Sequence, residues 1–485
     1  MKATYATIQA LMRNMSQTGD VLYTEMYQDL IISKMVDQDM LDDLMYDKEK
    51  LNEIVQLDSN LALILMDLCT IFRAELIAEN VIEKRFLLKR VIMICHEGHK
   101  YLFGFNQKTT TAVRFLNSIN EKEQQSVNAI RKAAADYGRL YGTETYKKIR
   151  DVSKHFSYDS LEFYSCIKDL TERDVSDLMV KFIAYAQPLH RLVNLVLSKV
   201  LGNELYVFIR SQKALKQTIP NIFNDLNIER IVQCIAKYGN IIERLNSMAI
   251  GGTNLLNKAD IDPENESLRP FFKDNIGLHI FYIIVDVMCA LKAFSNSKDF
   301  YEQSIHLAFI QLSVHEGFKK LYGFNSNDQE KSFWNRIKED FSSVLSLSED
   351  KLNQITENLQ KLSSSEYVSS EEVVIFTHYG ENKHHNIPFS VITFFFRNTR
   401  PQNFSTLIEV IKTLNSILPL VSELMENENQ RKNEEINRKF EEMHTNIIDS
   451  ISKSRTKAKP EMQKKLDDLT KDISEINDQI RNYFH

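Results

Sequence analysis

The chain has 485 residues, of which 43% are hydrophobic, and a formal net charge of −6. That length allows about two to four domains with a large buried core, and the acidic balance argues against a nucleic-acid binder that works through net charge alone. Only 13 glycines and 8 prolines occur, the first proline being Pro188, and such a long proline-free run favours helix. Cys69, Cys95, Cys166, Cys234 and Cys289 form no C-x-x-C pair. They read as buried reduced thiols and suit a cytoplasmic protein. The N-terminus lacks the apolar core of a signal peptide. The longest apolar stretch, Gly277–Phe294, is interrupted by His279, Asp286 and Lys292, so no membrane partner is expected.

The first distinctive segment is "CHEGHKYLFGFN", Cys95–Asn106. It returns 219 residues later as "VHEGFKKLYGFN", Val314–Asn325. At the same offset Asp67 falls on Asp286, Glu83 on Glu302 and Phe115 on Trp334. "ALILMDLCTIF" and "FYIIVDVMCAL" then align as apolar helices with an acid in the same place. The pattern predicts a duplicated helical unit, with copies at 1–205 and 206–425. Within each motif, Gly104 and Gly323 sit where a C′ glycine ends a helix, followed by Phe105 and Phe324 as the apolar contact. Gly98 and Gly317 would let a second helix approach closely. Glu97 and Lys100, like Glu316 and Lys319, are spaced i,i+3, which predicts a surface ion pair. A zinc H-E-x-x-H site is excluded, because the fifth position is Lys100 or Lys319.

Next comes "YKKIRDVSKHFSYDSLEFYSCIKDL", Tyr146–Leu170. Arg150 and His155 are five positions apart, with Asp151 after the arginine. Five residues turn a helix through about 500°, so the two do not share a face of one straight helix. Joint action requires a bend or a site assembled across an interface. Ser157 or Asp159 is placed to cap the helix that follows. Histidine can act as general acid or base near neutral pH, and arginine offers a fixed positive fork for a phosphate.

Arg-Asp-x-x-x-His in an all-helical unit, about 50 residues after an E-G-x-K helix, resembles the HEPN family. The resemblance covers about residues 50–175, with a weaker echo in the second copy. It implies a metal-independent endoribonuclease without a cofactor, acting on RNA, often in toxin or phage-defence systems. HEPN domains usually work as dimers with their motifs facing each other, which here implies an intramolecular pseudo-dimer. Arg150 and His155 match the two catalytic positions and Asp151 the polar position between them. Glu97 is a supporting residue from the neighbouring helix.

Charge is uneven. Val81–His155 carries 15 Lys+Arg against 7 Asp+Glu, whereas Phe300–His384 carries 8 against 13. The basic stretch predicts a phosphate-binding stripe through Lys84, Arg85, Lys89, Arg90, Lys147, Lys148 and Lys154. In the second copy "FTHYGENKHHNIPF", Phe376–Phe389, aligns Lys383-His384 with Lys154-His155 but has no arginine. It reads as a degenerate motif, with His384 in a supporting role. Asp262–Ser267, after Gly251 and Gly252, reads as a loop.

The tail, 426–485, carries Ile436, Phe440, Met443 and Ile447, then Met462, Leu466, Leu469, Ile473, Ile476 and Ile480 at spacings of 3 and 4. "SKSRTKAKP", Ser452–Pro460, separates the two seams. An antiparallel helical hairpin or a homodimeric coiled coil fits. The sequence as a whole predicts an all-α protein: two helical-bundle units plus C-terminal amphipathic helices. The alternative to a ribonuclease is a non-catalytic helical scaffold, or an RNA or nucleotide binder without cleavage.

Overall fold

The computed structural model describes residues 5–35, 47–105, 109–157, 159–202, 206, 227–258, 275–297, 299–370, 379, 392–394, 397, 401–457 and 459–484. Among these the fold is all-helical, with no strand. In chain order the helices are α1 (Tyr5–Met35), α2 (Lys48–Leu76), α3 (Val81–Leu102), α4 (Thr111–Asn117), α5 (Gln124–Tyr141), α6 (Glu144–His155), α7 (Ser160–Ile167) and α8 (Glu172–Val200). Then come α9 (Ile228–Lys258), α10 (Ile276–Ser295), α11 (Phe300–Leu321), α12 (Ser326–Glu330), α13 (Phe333–Asp340), α14 (Glu349–Ser363) and α15 (Glu366–Ser369). Two long helices, α16 (Pro401–Arg455) and α17 (Pro460–Phe484), end the chain.

Local chemistry sets many of these boundaries. Asp47, Asn80, Thr171 and Asn275 cap α2, α3, α8 and α10 by accepting backbone N–H bonds from the first turn. Asp159 caps α7 through the amides of Leu161 and Glu162, while Ser157 donates to Glu162 at 2.6 Å. Pro460 opens α17, where its missing N–H costs nothing.

The chain divides into two compact units. One comprises Met1–Trp334 with Leu359–Leu414, and the other Asn335–Asn358 with Asn415–His485. Both copies of the repeated motif lie in the first unit. Within the second, Ser343 donates to Glu428 at 2.8 Å and Ser348 to Glu423 at 2.6 Å. Arg455 on α16 pairs with Asp467 on α17 at 3.0 Å across the turn, as a hairpin requires. Met443, Ile447, Met462 and Leu469 stay exposed.

In the first unit α2, α3, α10 and α11 are buried around most of their circumference, the behaviour of helices inside a core. By length and composition alone, α2, α10 and α16 are apolar enough to cross a membrane. This corrects the inference that no segment is, since interruption by a few charges does not lower the window below that level. The apolar windows of α2 and α10 are 89% and 83% buried within the fold, and that of α16 44%.

The helices that carry the repeated motif have matching ends. α3 and α11 start and stop at positions 219 residues apart, and α2 and α10 stop so. Gly104 and Gly323 have φ of 65° and 83°, and their amides bond to the carbonyls of His99 and Phe318 at 3.1 and 3.0 Å. His96 packs on Phe105 with ring centroids 4.6 Å apart, and His315 on Phe324 at 4.9 Å. A Cβ on Gly98 would lie 2.9 Å from Phe182 on α8 and 3.1 Å from Ile64 on α2, and one on Gly317 2.7 Å from Ile283 on α10. A side chain at either position would force these neighbours to move.

Charged groups cross between these helices in a reciprocal pattern. Arg73 on α2 pairs with Glu302 on α11 and also donates to the Asn296 carbonyl at 3.1 Å. Lys292 on α10, the residue at the Arg73 position of the second copy, pairs with Glu83 on α3 at 2.9 Å. Asp286 on α10 receives Lys89 at 3.0 Å and Arg90 at 2.7 Å from α3, with Ser313 donating at 2.7 Å. Burial opposes ionisation of Asp286, but the charges of Arg90 and Lys89 hold its pKa below the usual carboxylate value.

Removing one partner of such a buried cluster strands the others. Asp286→Ala is therefore expected to destabilise the protein by about 3–5 kcal/mol, seen as a lower denaturant midpoint at unchanged slope.

A second buried cluster ties α1 and α8 to α2. His190 Nε2 lies 3.1 Å from Glu25 and 3.3 Å from Asp58. Asn194 also donates to Asp58 at 3.0 Å. Burial alone would lower the His190 pKa, but the hydrogen bonds and charges of Asp58 and Glu25 raise it to about 10. The folded state thus binds this proton more tightly than the unfolded chain. The stability it supplies is complete below about pH 6.5, the unfolded value, and is lost as pH rises through about 10. Melting temperatures of wild type and His190→Gln should accordingly converge as pH rises across that window.

Candidate functional site

Helix α6 carries both residues of the Arg-x4-His pattern, and it packs against α3 on one side and α11 on another. It runs unbroken from Glu144 to His155. Arg150 and His155 are therefore about 7.5 Å apart along its axis and about 140° apart around it. Each side chain meets a different glutamate. Arg150 Nη1 lies 3.2 Å from Glu97 Oε1 on α3 and 2.8 Å from Asp151 Oδ1. His155 Nδ1 lies 3.1 Å from Glu316 Oε2 on α11. Glu97 and Glu316 occupy the same position in the two copies of the motif. Neither is a surface residue. The two glutamates, read from sequence as surface groups, are therefore buried and in contact with α6.

The helix ends at His155 for a definite reason. Phe156 has φ of 40°, a left-handed backbone that non-glycine residues rarely adopt. Its ring is buried and stacks on Phe163 at 5.7 Å, with His279 edge-on at 5.7 Å. Lys89 Nζ sits 5.5 Å from the Phe156 centroid and 5.4 Å from that of Phe163. Packing over-determines the strained residue, and this fixes where His155 leaves the helix.

The electrostatics differ at the two ends. Burial works to raise the Glu316 pKa, but the hydrogen bond and charge of His155, with His315 and Lys319, hold it below the ordinary value. His96, next to Glu97, is held down to about 4 by burial and by the Arg150 charge, so it is neutral at pH 7. The Arg150 side chain is 13% exposed and that of His155 45%. Solvent therefore reaches the histidine far more than the arginine.

Three of the seven cations assigned to the phosphate-binding stripe are internal. Lys89 and Arg90 are buried and committed to Asp286. Lys154 is buried as well. Arg85 pairs with Glu243 at 2.6 Å, and Lys84 lies 3.2 Å from Glu172 and 3.6 Å from Glu75. Lys147 and Lys148 keep half-exposed side chains, beside Glu144 at 3.4 Å and Glu162 at 3.0 Å. Charge counted along a sequence does not separate solvated cations from those that serve as internal partners. His378, Glu381, His384 and His385 lie outside the described residues.

Glu316 was read from sequence only as an ion-pair partner of Lys319, not as a site residue. The available signal was its place at the repeat position of Glu97. Asp286 was aligned with Asp67, but its two cations were assigned to the phosphate-binding stripe. Compared with known proteins, the chain matches no family model, no curated protein and no solved structure.

The corrected map of the basic residues has a direct check. Lys147→Glu and Lys148→Glu should each change unfolding free energy by no more than about 0.5 kcal/mol. Lys89→Glu, which sets a second buried carboxylate against Asp286, should prevent stable folding, read by circular dichroism and thermal melting.

Proposed function

We propose that the chain is a HEPN-type, metal-independent endoribonuclease of the cytoplasm, with its site at Arg150 and His155. The observation that carries this reading is the convergence of Glu97 and Glu316 on one helix. Two glutamates from equivalent motif positions grip the two chemistry-bearing residues, as a site assembled from two related halves requires. The matching helix ends, caps and exchanged ion pairs Arg73–Glu302 and Lys292–Glu83 support a duplicated unit folded on itself as a pseudo-dimer. In a two-fold arrangement, each contact recurs with the halves interchanged.

The chemistry follows from the residues. His155 takes the proton of a ribose 2′-hydroxyl as that oxygen bonds to phosphorus. The P–O5′ bond breaks, and O5′ takes a proton from solvent. Arg150 supplies positive charge to the phosphate, with Asp151 and Glu97 fixing its guanidinium. The product ends are a 2′,3′-cyclic phosphate and a 5′-hydroxyl.

A second reading, a non-catalytic helical scaffold, is favoured by the burial of Lys89, Arg90 and Lys154, which removes much of the expected RNA-facing charge. One experiment separates the two. Purified protein incubated with total RNA should cleave it equally well with and without EDTA, leaving cyclic phosphate ends. His155→Ala should lower the rate by about 10²–10⁴-fold, the range for losing a general acid or base, in a protein whose circular dichroism spectrum stays that of the folded helical state. Absence of cleavage in every condition supports the scaffold, and cleavage restored by Mg²⁺ after chelation rejects this mechanism.

A further inference from the structure

We infer that Glu316, on α11 of the second half, is the positioning residue that fixes the His155 tautomer, accepting the Nδ1 proton and leaving Nε2 bare. The catalytic meaning of this rests on the ribonuclease reading, whereas the tautomer itself does not.

The geometry defines the roles. An ionised carboxylate only accepts hydrogen bonds. His155 faces Glu316 through Nδ1, at 3.1 Å, so the ring carries its proton there. Which nitrogen of a neutral imidazole is free is set by the bond the other one makes. Nε2 is then the lone-pair nitrogen, on a side chain left 45% exposed. Glu316 is itself immobilised. It is 6% exposed and lies on a helix held against α10 by Gly317, where a Cβ would come within 2.7 Å of Ile283. His155 is held from the other direction by the strained, buried Phe156.

The charged surroundings favour the same state. From α11, Lys319 and His315 act on Glu316 and support its ionised form. From α6 itself, Asp151 and Arg150 pair with each other at 2.8 Å, and Arg150 reaches Glu97 on α3. None of these contacts supplies an alternative acceptor to His155 Nδ1. The repeated glutamate thus takes two different tasks, holding a guanidinium from α3 and an imidazole from α11. The second half becomes a contributor to the site through one atom.

Nitrogen-15 spectra of histidine-labelled full-length protein, at a pH where the ring is neutral, read the tautomer directly. His155→Gln identifies the His155 signals. Wild type should show Nδ1–H, with Nε2 at the shift of an unprotonated nitrogen. Glu316→Ala should move His155 towards the Nε2–H form. Glu316→Gln, which keeps an acceptor oxygen without the charge, should retain part of the Nδ1–H population. Glu97→Gln should leave the His155 signals unmoved. In cleavage assays Glu316→Ala should lower kcat by about 10-fold or more with KM little changed, a fraction of the about 10²–10⁴-fold available to a general base. A wild-type ring protonated on Nε2, or a tautomer balance unchanged in Glu316→Ala, overturns the inference even where RNA is cleaved. A correct tautomer in a protein that cleaves no RNA upholds it and removes the ribonuclease reading instead.

Discussion

Asp286 is the constraint on which the first unit depends. Taking Lys89 and Arg90 out of water costs several kcal/mol each unless a partner meets them, and one carboxylate meets both. Ser313 then satisfies Asp286 further. This cluster locks α3 to α10 in a single register, because a helix slid by one residue would leave two cations unpaired in a low-dielectric interior. Arg73–Glu302 and Lys292–Glu83 extend the same logic to either side of it. Apolar packing drives these helices together, and the ion pairs select which alignment is acceptable.

The candidate site inherits its geometry from that alignment. α6 lies against both α3 and α11, so the distance between Glu97 and Glu316 is set by how those helices are held. Lys89 links the two regions physically. Its ammonium is bound to Asp286, and it also sits among the rings of Phe86, Phe156 and Phe163. The residue that anchors the helix interface therefore also supports the turn that ends α6 at His155.

Much of the helical framework was legible in the sequence, because caps and glycine stops are local chemistry. Asp159, Gly104 and Gly323 do what their neighbours in the chain dictate. The close approach at Gly98 and Gly317 was also readable, since a repeated glycine inside a helix marks a packing contact. Burial of charge was not legible. Lys89 and Arg90 look identical in sequence to solvated cations, and only their distance from Asp286 in space separates the two. The partners of Glu97 and Glu316 were hidden for the same reason: each lies on a different helix, and i,i+3 spacing offered a nearer lysine.

The symmetry of the ion pairs is incomplete, and this has a consequence. At the positions of Lys89 and Arg90, the second segment has Ala308 and Phe309. Asp67, at the Asp286 position, instead accepts a hydrogen bond from Tyr379 at 2.6 Å, and burial raises its pKa to about 7. Two separate identical subunits are encoded by one gene, so each substitution appears on both sides of their contact. Here the sides are stretches of a single polypeptide and can drift independently. One carries cations where the other has hydrocarbon, and one supplies the helix that both glutamates grip. Their encounter is also intramolecular, so dilution does not separate them.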